Sequence, residues 1–132
     1  MGLYHEILEQ PHVLTGLLKS RPAVEEVCAA LARRTYPFVM VAARGSSHHG
    51  ALYAKYLLGS ANGLPVALAA PSLFTQYKTP PILSQALVIG ISQSGATEDV
   101  VAVVRAARER GGRAARGDGA GRFVHARLHS SR

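Results

Sequence analysis

Residues 86–99 combine a short apolar run, a turn of small polar residues and the start of a helical pattern. The apolar run from Ala86 to Ile91 is rich in β-branched residues, which is typical of a strand buried on both faces. The turn reads Ser-Gln-Ser-Gly, and Thr97 then precedes two acids, as expected for an N-cap and a first helical turn. A helix N-terminus that follows a strand and a polar turn can bind an anion through free backbone N–H groups. An ordinary βα turn with a good cap is the alternative.

A second turn of the same kind follows the apolar segment 37–43. Gly45 allows close approach of the backbone, Ser46 and Ser47 carry hydroxyl groups, and a helical pattern starts at about residue 48. Because ligands bind outside the carboxyl ends of parallel strands, the two turns are expected to form one anion site. The sequence contains neither a G-x-G-x-x-G turn nor a P-loop, so a mononucleotide site is not indicated.

The order of the apolar segments predicts an α/β domain of three layers, αβα, in which helices flank a parallel sheet. Residues 1–111 form the predicted domain, with 1–34 as an N-terminal helical arm, and 112–132 form an atypical basic tail. Predicted helices cover 3–19 (broken at Pro11), 23–34, 48–60 and 97–110, predicted strands cover 37–43, 65–70 and 86–91, and 71–77 is one helical turn. The side chains predicted to face inward are Val24, Val27, Cys28, Leu31, Tyr53, Tyr56, Val100, Val101, Val104 and Ala107.

Charge and cysteine content narrow the class of protein. The formal charge is +7, but residues 112–132 contribute five arginines and one aspartate, a net +4, which leaves +3 for the rest. This distribution argues against nucleic-acid binding by the domain. No run approaches the ~18 apolar residues of a membrane helix, and the first ten residues lack the core of a signal peptide. The single cysteine, Cys28, predicts a buried thiol and a reducing, cytoplasmic setting.

These turns resemble a known family. Arg44-Gly45-Ser46-Ser47 after one strand, and Ser92-Gln93-Ser94-Gly95 with Thr97 after another, resemble the sugar isomerase (SIS) domain. Over about residues 3–111 the chain is most similar to the isomerase half of glucosamine-6-phosphate synthase and to ketosamine-phosphate deaminases and deglycases. Shorter matches to that branch are Glu9-Gln10-Pro11, Lys55-Tyr56 and Ala70-Pro71-Ser72.

The resemblance implies a five-stranded parallel sheet and a small-molecule sugar phosphate as ligand. It implies that the phosphate is held by Ser47, Ser92, Gln93, Ser94 and Thr97, and that Gly45, Ser46 and Arg44 line the sugar side. Arg44 either attracts the anion or pairs with a carboxylate, and the sequence leaves both readings open. No metal site and no cofactor are expected.

The catalytic groups are less clear from the sequence. His48 and His49 start a helix beside the predicted site and are weak candidates for acid–base work, since histidine titrates near neutral pH. A half-exposed pair without a catalytic role is the simpler interpretation. Lys55 and Lys78 are expected to be solvated. Aldose–ketose isomerisation or deamination needs a base that moves a proton between C1 and C2, and no strong base is visible, so a non-catalytic sugar-phosphate sensor is the alternative function.

The tail departs from the family pattern. The resemblance implies a further apolar strand after residue 110 and a second SIS domain, whereas thirteen of the last 21 residues are Gly, Ala or Arg. A shift of reading frame near codon 112 would explain this composition. A natural short variant is the alternative, with Val124, Ala126 and Leu128 as an improvised edge strand. Apolar surface left by a missing strand and domain predicts a homodimer. Nucleic-acid binding through the tail is a weaker possibility.

Overall fold

The computed structural model describes residues 2–93 and 96–110, and the strands at 113–118 and 123–124. Ten helices and strands are assigned within these residues. The helices are α1 (Leu3–Lys19), α2 (Arg21–Ala32), α3 (Ser47–Asn62), α4 (Ser72–Thr75) and α5 (Glu98–Glu109), and the strands are β1 (Val39–Ala43), β2 (Val66–Leu68), β3 (Leu87–Ser92), β4 (Arg113–Asp118) and β5 (Phe123–Val124).

The strands form one sheet in the order β2-β1-β3-β4-β5. The first four strands are parallel, with Val39 opposite both Val66 and Leu87, and β5 runs antiparallel to β4. The predicted parallel α/β sheet is therefore confirmed, while the implied fifth parallel strand is antiparallel.

Strand β4 corrects the expectation that a strand is missing after residue 110. The sequence Arg-Ala-Ala-Arg-Gly-Asp has no β-branched residue, yet it pairs with β3 from Arg113 to Asp118. Pairing depends on backbone groups, and strand propensity yields readily to the sheet context. Of the improvised edge strand predicted in the tail, Val124 lies in β5, whereas Ala126 and Leu128 lie outside the described residues.

Alternation along β1 sends successive side chains to opposite faces of the sheet, as the strand period requires. On one face, Met40 and Ala42 pack with α5 and with Phe74 of α4. On the other face, Val39 and Val41 pack with elements of the α2 and α3 side, including Leu31 and Leu58. Two core clusters on opposite faces confirm the three-layer arrangement.

The N-terminal arm differs from the prediction at Pro11. Helix α1 runs unbroken through this proline and carries no buried residue. Proline removes one helical hydrogen bond, but the apolar periodicity continues on both sides of it, and one helix keeps that stripe on a single face. Among the described elements, only α2 shares several close contacts with α1. Helix α1 therefore lies outside the core of the domain, whereas α2 contacts it through Leu31.

Three inward-facing predictions are wrong. Cys28 is exposed, because α2 turns Leu31 rather than the thiol toward the sheet. Tyr53 and Tyr56 are also exposed, since α3 packs through Ala51 and Leu58 on its other side. In α5 the buried set is Val100, Val103, Val104 and Ala107, with Val101 only partly covered. Lys55 and Lys78 are exposed as predicted. No helix of the described residues is long and apolar enough to cross a bilayer.

Candidate functional site

The two serine-rich turns lie side by side at one edge of the sheet. Strands β1 and β3 are adjacent and parallel, and Ala43, the last residue of β1, is in register with Ile91. The turn after β1 therefore begins level with Ser92, the last residue of β3. The sheet thus brings both predicted turns to the same edge, at the carboxyl ends of its strands.

The first turn is shaped by Gly45. This residue has a φ of 60°, in the left-handed region, and its carbonyl oxygen accepts a hydrogen bond of 3.1 Å from the N–H of His48. Ser46 occupies the N-cap position of α3, but its hydroxyl makes no capping hydrogen bond. Ser46 is exposed and Ser47 is half-buried. The turn thus presents two hydroxyl groups at the start of a helix.

The second turn is closed by a hydrogen bond between hydroxyl groups. Ser92 Oγ and Thr97 Oγ1 are 2.8 Å apart, and Ser92 is only 3% exposed. Thr97 is the N-cap residue of α5, as predicted, but its hydroxyl does not cap the helix. Instead, its bond to Ser92 joins the end of β3 to the start of α5. Gln93 is exposed beside this closure, and the predicted contact Ser94 lies outside the described residues.

An ion pair connects the first turn to α5, the helix that follows the second turn. Arg44 Nη1 donates a hydrogen bond of 2.6 Å to Asp99 Oδ2, 55 positions away in sequence. Of the two readings of Arg44, pairing with a carboxylate is therefore the one observed. Asp99 was predicted only as a first-turn acid of the helix. The alternation of strands and helices could have identified the pair, because it places the residue after β1 next to the start of α5.

The histidine pair begins helix α3. His48 and His49 are both exposed in the first turn, next to Ser46 and Ser47. Their position beside the turns agrees with the sequence prediction, and their role in acid–base chemistry stays a prediction. Among the described residues, no group of three His, Cys, Asp or Glu side chains could hold a metal ion.

A concavity that sequence reasoning did not anticipate lies along the outer side of α5. This cleft of about 490 Å³ is formed by α5 together with α4 and the loop after it, including Phe74, Lys78 and Arg105. Glu98 lines it at the N-terminal end of α5, one residue after Thr97. Acidic and basic side chains both line the cleft, so its charge does not select one class of ligand.

The chain is similar to known proteins over a stretch that contains both turns. The family model described as the SIS domain matches residues 38–115, which include both turns. The glutamine–fructose-6-phosphate aminotransferase (isomerizing) of Chlorobaculum tepidum is 35% identical over 114 residues, which cover 80% of this chain and 18% of that protein. The protein of the same description from Thermus thermophilus is 37% identical over 112 residues, which cover 82% of this chain and 18% of that protein. The chain thus spans less than a fifth of the length of these curated relatives.

Solved structures of related proteins are also similar to this chain over most of its length. A crystal structure described as a phosphosugar isomerase from Silicibacter pomeroyi has a TM-score of 0.77 and 38% identity, covering 88% of this chain and 36% of that chain. The tagatose-6-phosphate ketose/aldose isomerase of Escherichia coli has a TM-score of 0.64 at 21% identity, covering 85% and 32%, and this likeness concerns the fold alone.

Proposed function

This chain belongs to the SIS domain family, and from that premise we propose that it binds a sugar phosphate at the two turns, 44–47 and 92–97. The supporting observation is their placement: adjacent parallel strands end level with each other, and each turn leads into a helix N-terminus. A phosphate monoester carries a charge of about −1.5 to −2 at neutral pH. Helix N-termini offer partial positive charge and N–H donors to such a group.

The positions of the predicted contacts support different roles for them, either in holding the turn or in binding the ligand. Ser92 is buried behind the turn, so its hydroxyl acts by holding Thr97 at 2.8 Å. Ser47, Gln93, Ser94 and Thr97 supply the groups that contact the phosphate. Gly45, Ser46 and Arg44 belong to the turn on the sugar side. The hydroxyl of Thr97 does not cap α5, and it can donate to the phosphate while it accepts from Ser92.

The reaction class follows from the family. We propose that the sugar phosphate is an amino-sugar or ketose phosphate and that the parent chemistry is isomerisation or deamination in the cytoplasm. This chemistry moves a proton between C1 and C2 of an open-chain sugar and needs a positioned base. His48 and His49 are the nearest candidates in the first turn of α3. The alternative is a regulatory module that binds the same ligand without converting it.

The arm provides a surface for self-association, and we propose a homodimer. Seven large apolar side chains of α1, which form one stripe, are 44–76% exposed: Leu3, Tyr4, Ile7, Leu8, Leu14, Leu17 and Leu18. Monomeric proteins rarely expose large contiguous apolar patches, and such a patch marks an interaction site. A two-fold axis would bring the stripes of two copies together.

Calorimetric titration with glucosamine 6-phosphate and fructose 6-phosphate tests the binding proposal. Thr97→Val and Ser94→Ala are expected to raise Kd by about tenfold or more, because each removes a hydrogen bond to a charged group. Thr79→Val is the matched control, since Thr79 is exposed in the loop after α4. If neither sugar phosphate binds to the unmodified chain, the proposed function is wrong.

A further inference from the structure

The pair formed by Arg44 and Asp99 has a geometry that fold stability does not explain. The side chain of Arg44 is 57% exposed and that of Asp99 is 29% exposed. Ion pairs this open to solvent contribute little to folding, because water screens them and ordering two side chains has an entropic cost. The pair nevertheless makes a 2.6 Å hydrogen bond between the first turn of the candidate site and the start of α5. Its position indicates a role in what the site binds.

The charges around the second turn are not uniformly favourable to an anion. Glu98 and Asp99 both lie in the first turn of α5, where an anion would approach the helix N-terminus. Two carboxylates there would repel a phosphate, opposing the partial positive charge of the helix. Arg44 offsets the charge of Asp99 at short range. The net field at the turn therefore depends on whether this pair is present.

Arg44 also has hydrogen-bonding capacity to spare. A guanidinium group carries five N–H donors in a planar fork, and it binds phosphate oxygens well. Within the described residues, one of these donors is used, by Asp99 Oδ2. The carboxylate thus fixes the guanidinium beside Gly45 while leaving other N–H groups able to bind an oxyanion.

We propose that Arg44 and Asp99 act as an opposed pair that sets the affinity of the site for a phosphate group. Arg44 strengthens anion binding by shielding Asp99 and by donating to the ligand. Asp99 holds the guanidinium in place and, through its own charge, limits how tightly the anion is held. This inference rests on the proposed sugar-phosphate function. In this inference, two residues in contact change the affinity for the anion in opposite directions.

The opposite changes in affinity expected for the two substitutions distinguish a role in binding from a purely structural role. Arg44→Gln is expected to weaken binding of fructose 6-phosphate by about tenfold, since it exposes the charge of Asp99 and removes a donor. Asp99→Asn is expected to tighten binding by about threefold, because it removes a repulsive charge while the amide oxygen can still accept the hydrogen bond that positions Arg44. The double variant is expected to bind more tightly than Arg44→Gln alone. A pair that only stabilises the turns would weaken binding in both single variants.

Two controls and a change of salt sharpen the test. Arg108→Gln and Glu109→Gln make the same charge changes in the last turn of α5, about 15 Å along the helix from Asp99. Both control variants are expected to leave Kd within about twofold of the unmodified chain. At about 1 M NaCl, where the screening length is ~3 Å, the gain from Asp99→Asn should largely disappear. Circular dichroism melting of each variant verifies that the fold is retained.

The experiment is calorimetric titration of the full chain and these variants with fructose 6-phosphate and with inorganic phosphate. The inference is supported if Arg44→Gln weakens binding and Asp99→Asn strengthens it for both ligands. It is overturned, with the proposed function intact, if the unmodified chain binds and both variants match it or both weaken. If the unmodified chain binds neither ligand, the proposed function fails and this inference fails with it.

Discussion

Helices α1 and α5 are both amphipathic, but only one of them is covered by its own domain. Helix α5 buries four residues against the sheet, whereas α1 buries none and exposes eight large apolar side chains. The difference lies in what each helix is connected to. Helix α5 starts directly after β3 and packs back onto the sheet, while α1 is joined to another helix, α2, rather than to a strand. An apolar stripe predicts that some other surface packs against the helix. The element to which the helix is connected decides which surface that is.

The same substitution made in both helices is expected to change the free energy of unfolding by very different amounts. Val103 is fully buried in α5, and Val13 is half-exposed in α1. Val103→Ala is expected to lower the free energy of unfolding by about 2 kcal/mol, through lost burial and the cavity left behind. Val13→Ala should change it by less than about 0.5 kcal/mol. Urea denaturation measures both, and equal losses would show that α1 belongs to the same core.

The next effect concerns the stripe of α1 itself. Ile7→Glu combined with Leu14→Glu places two charges in the proposed dimer surface, and burial of unpaired charges is strongly unfavourable. We expect the mass in sedimentation equilibrium to fall from twice 14.0 kDa to 14.0 kDa. His12→Glu, on the other side of the helix, is the control and should leave the dimer intact. A monomeric mass for the unmodified chain at micromolar concentration would contradict the dimer.

A smaller change in stability is expected when glycine is replaced by alanine in a turn of the site and inside a helix. Gly45 has a φ of 60°, and no atom lies within 4 Å of a Cβ added there, so Gly45→Ala meets conformational strain without a clash. We expect a loss of about 1 kcal/mol in the free energy of unfolding. Gly50→Ala, inside α3 and equally uncrowded, should instead gain up to about 1 kcal/mol. Thermal melts of the two variants test this, and a loss at both positions would show that crowding, not φ, decides.

The parts of the fold that sequence patterns predicted are those governed by local periodicity. The apolar runs located β1 and β3, and the Ser-Gln-Ser-Gly turn located the start of α5 within one residue. Because those strands are adjacent and parallel, the shared edge of the two turns followed from topology. The regions predicted less well depend on tertiary context. Strand β4 forms from residues with weak strand preference, since β3 offers it a backbone partner.

Side-chain environment was harder to predict than secondary structure. Aromatic content suggested that Tyr53 and Tyr56 were core residues, but the smaller Ala51 faces β1 and the tyrosines face outward. Thr97 was predicted as a capping side chain, and its hydroxyl bonds to Ser92 instead. In both cases two placements satisfy the same sequence pattern, and contacts between distant residues select one. The ion pair between Arg44 and Asp99 is a further contact of this kind, because the two residues are 55 positions apart in the sequence.

The two turns are proposed to form one phosphate site. Amide chemical shifts of the ¹⁵N-labelled chain, followed during titration with glucosamine 6-phosphate, test it most directly. We expect the amides of Gly45, Ser46 and Ser47 to shift together with those of Gln93 and Thr97, and we expect both groups to give the same Kd. Shifts confined to one turn, or different Kd values for the two turns, would contradict a single shared site.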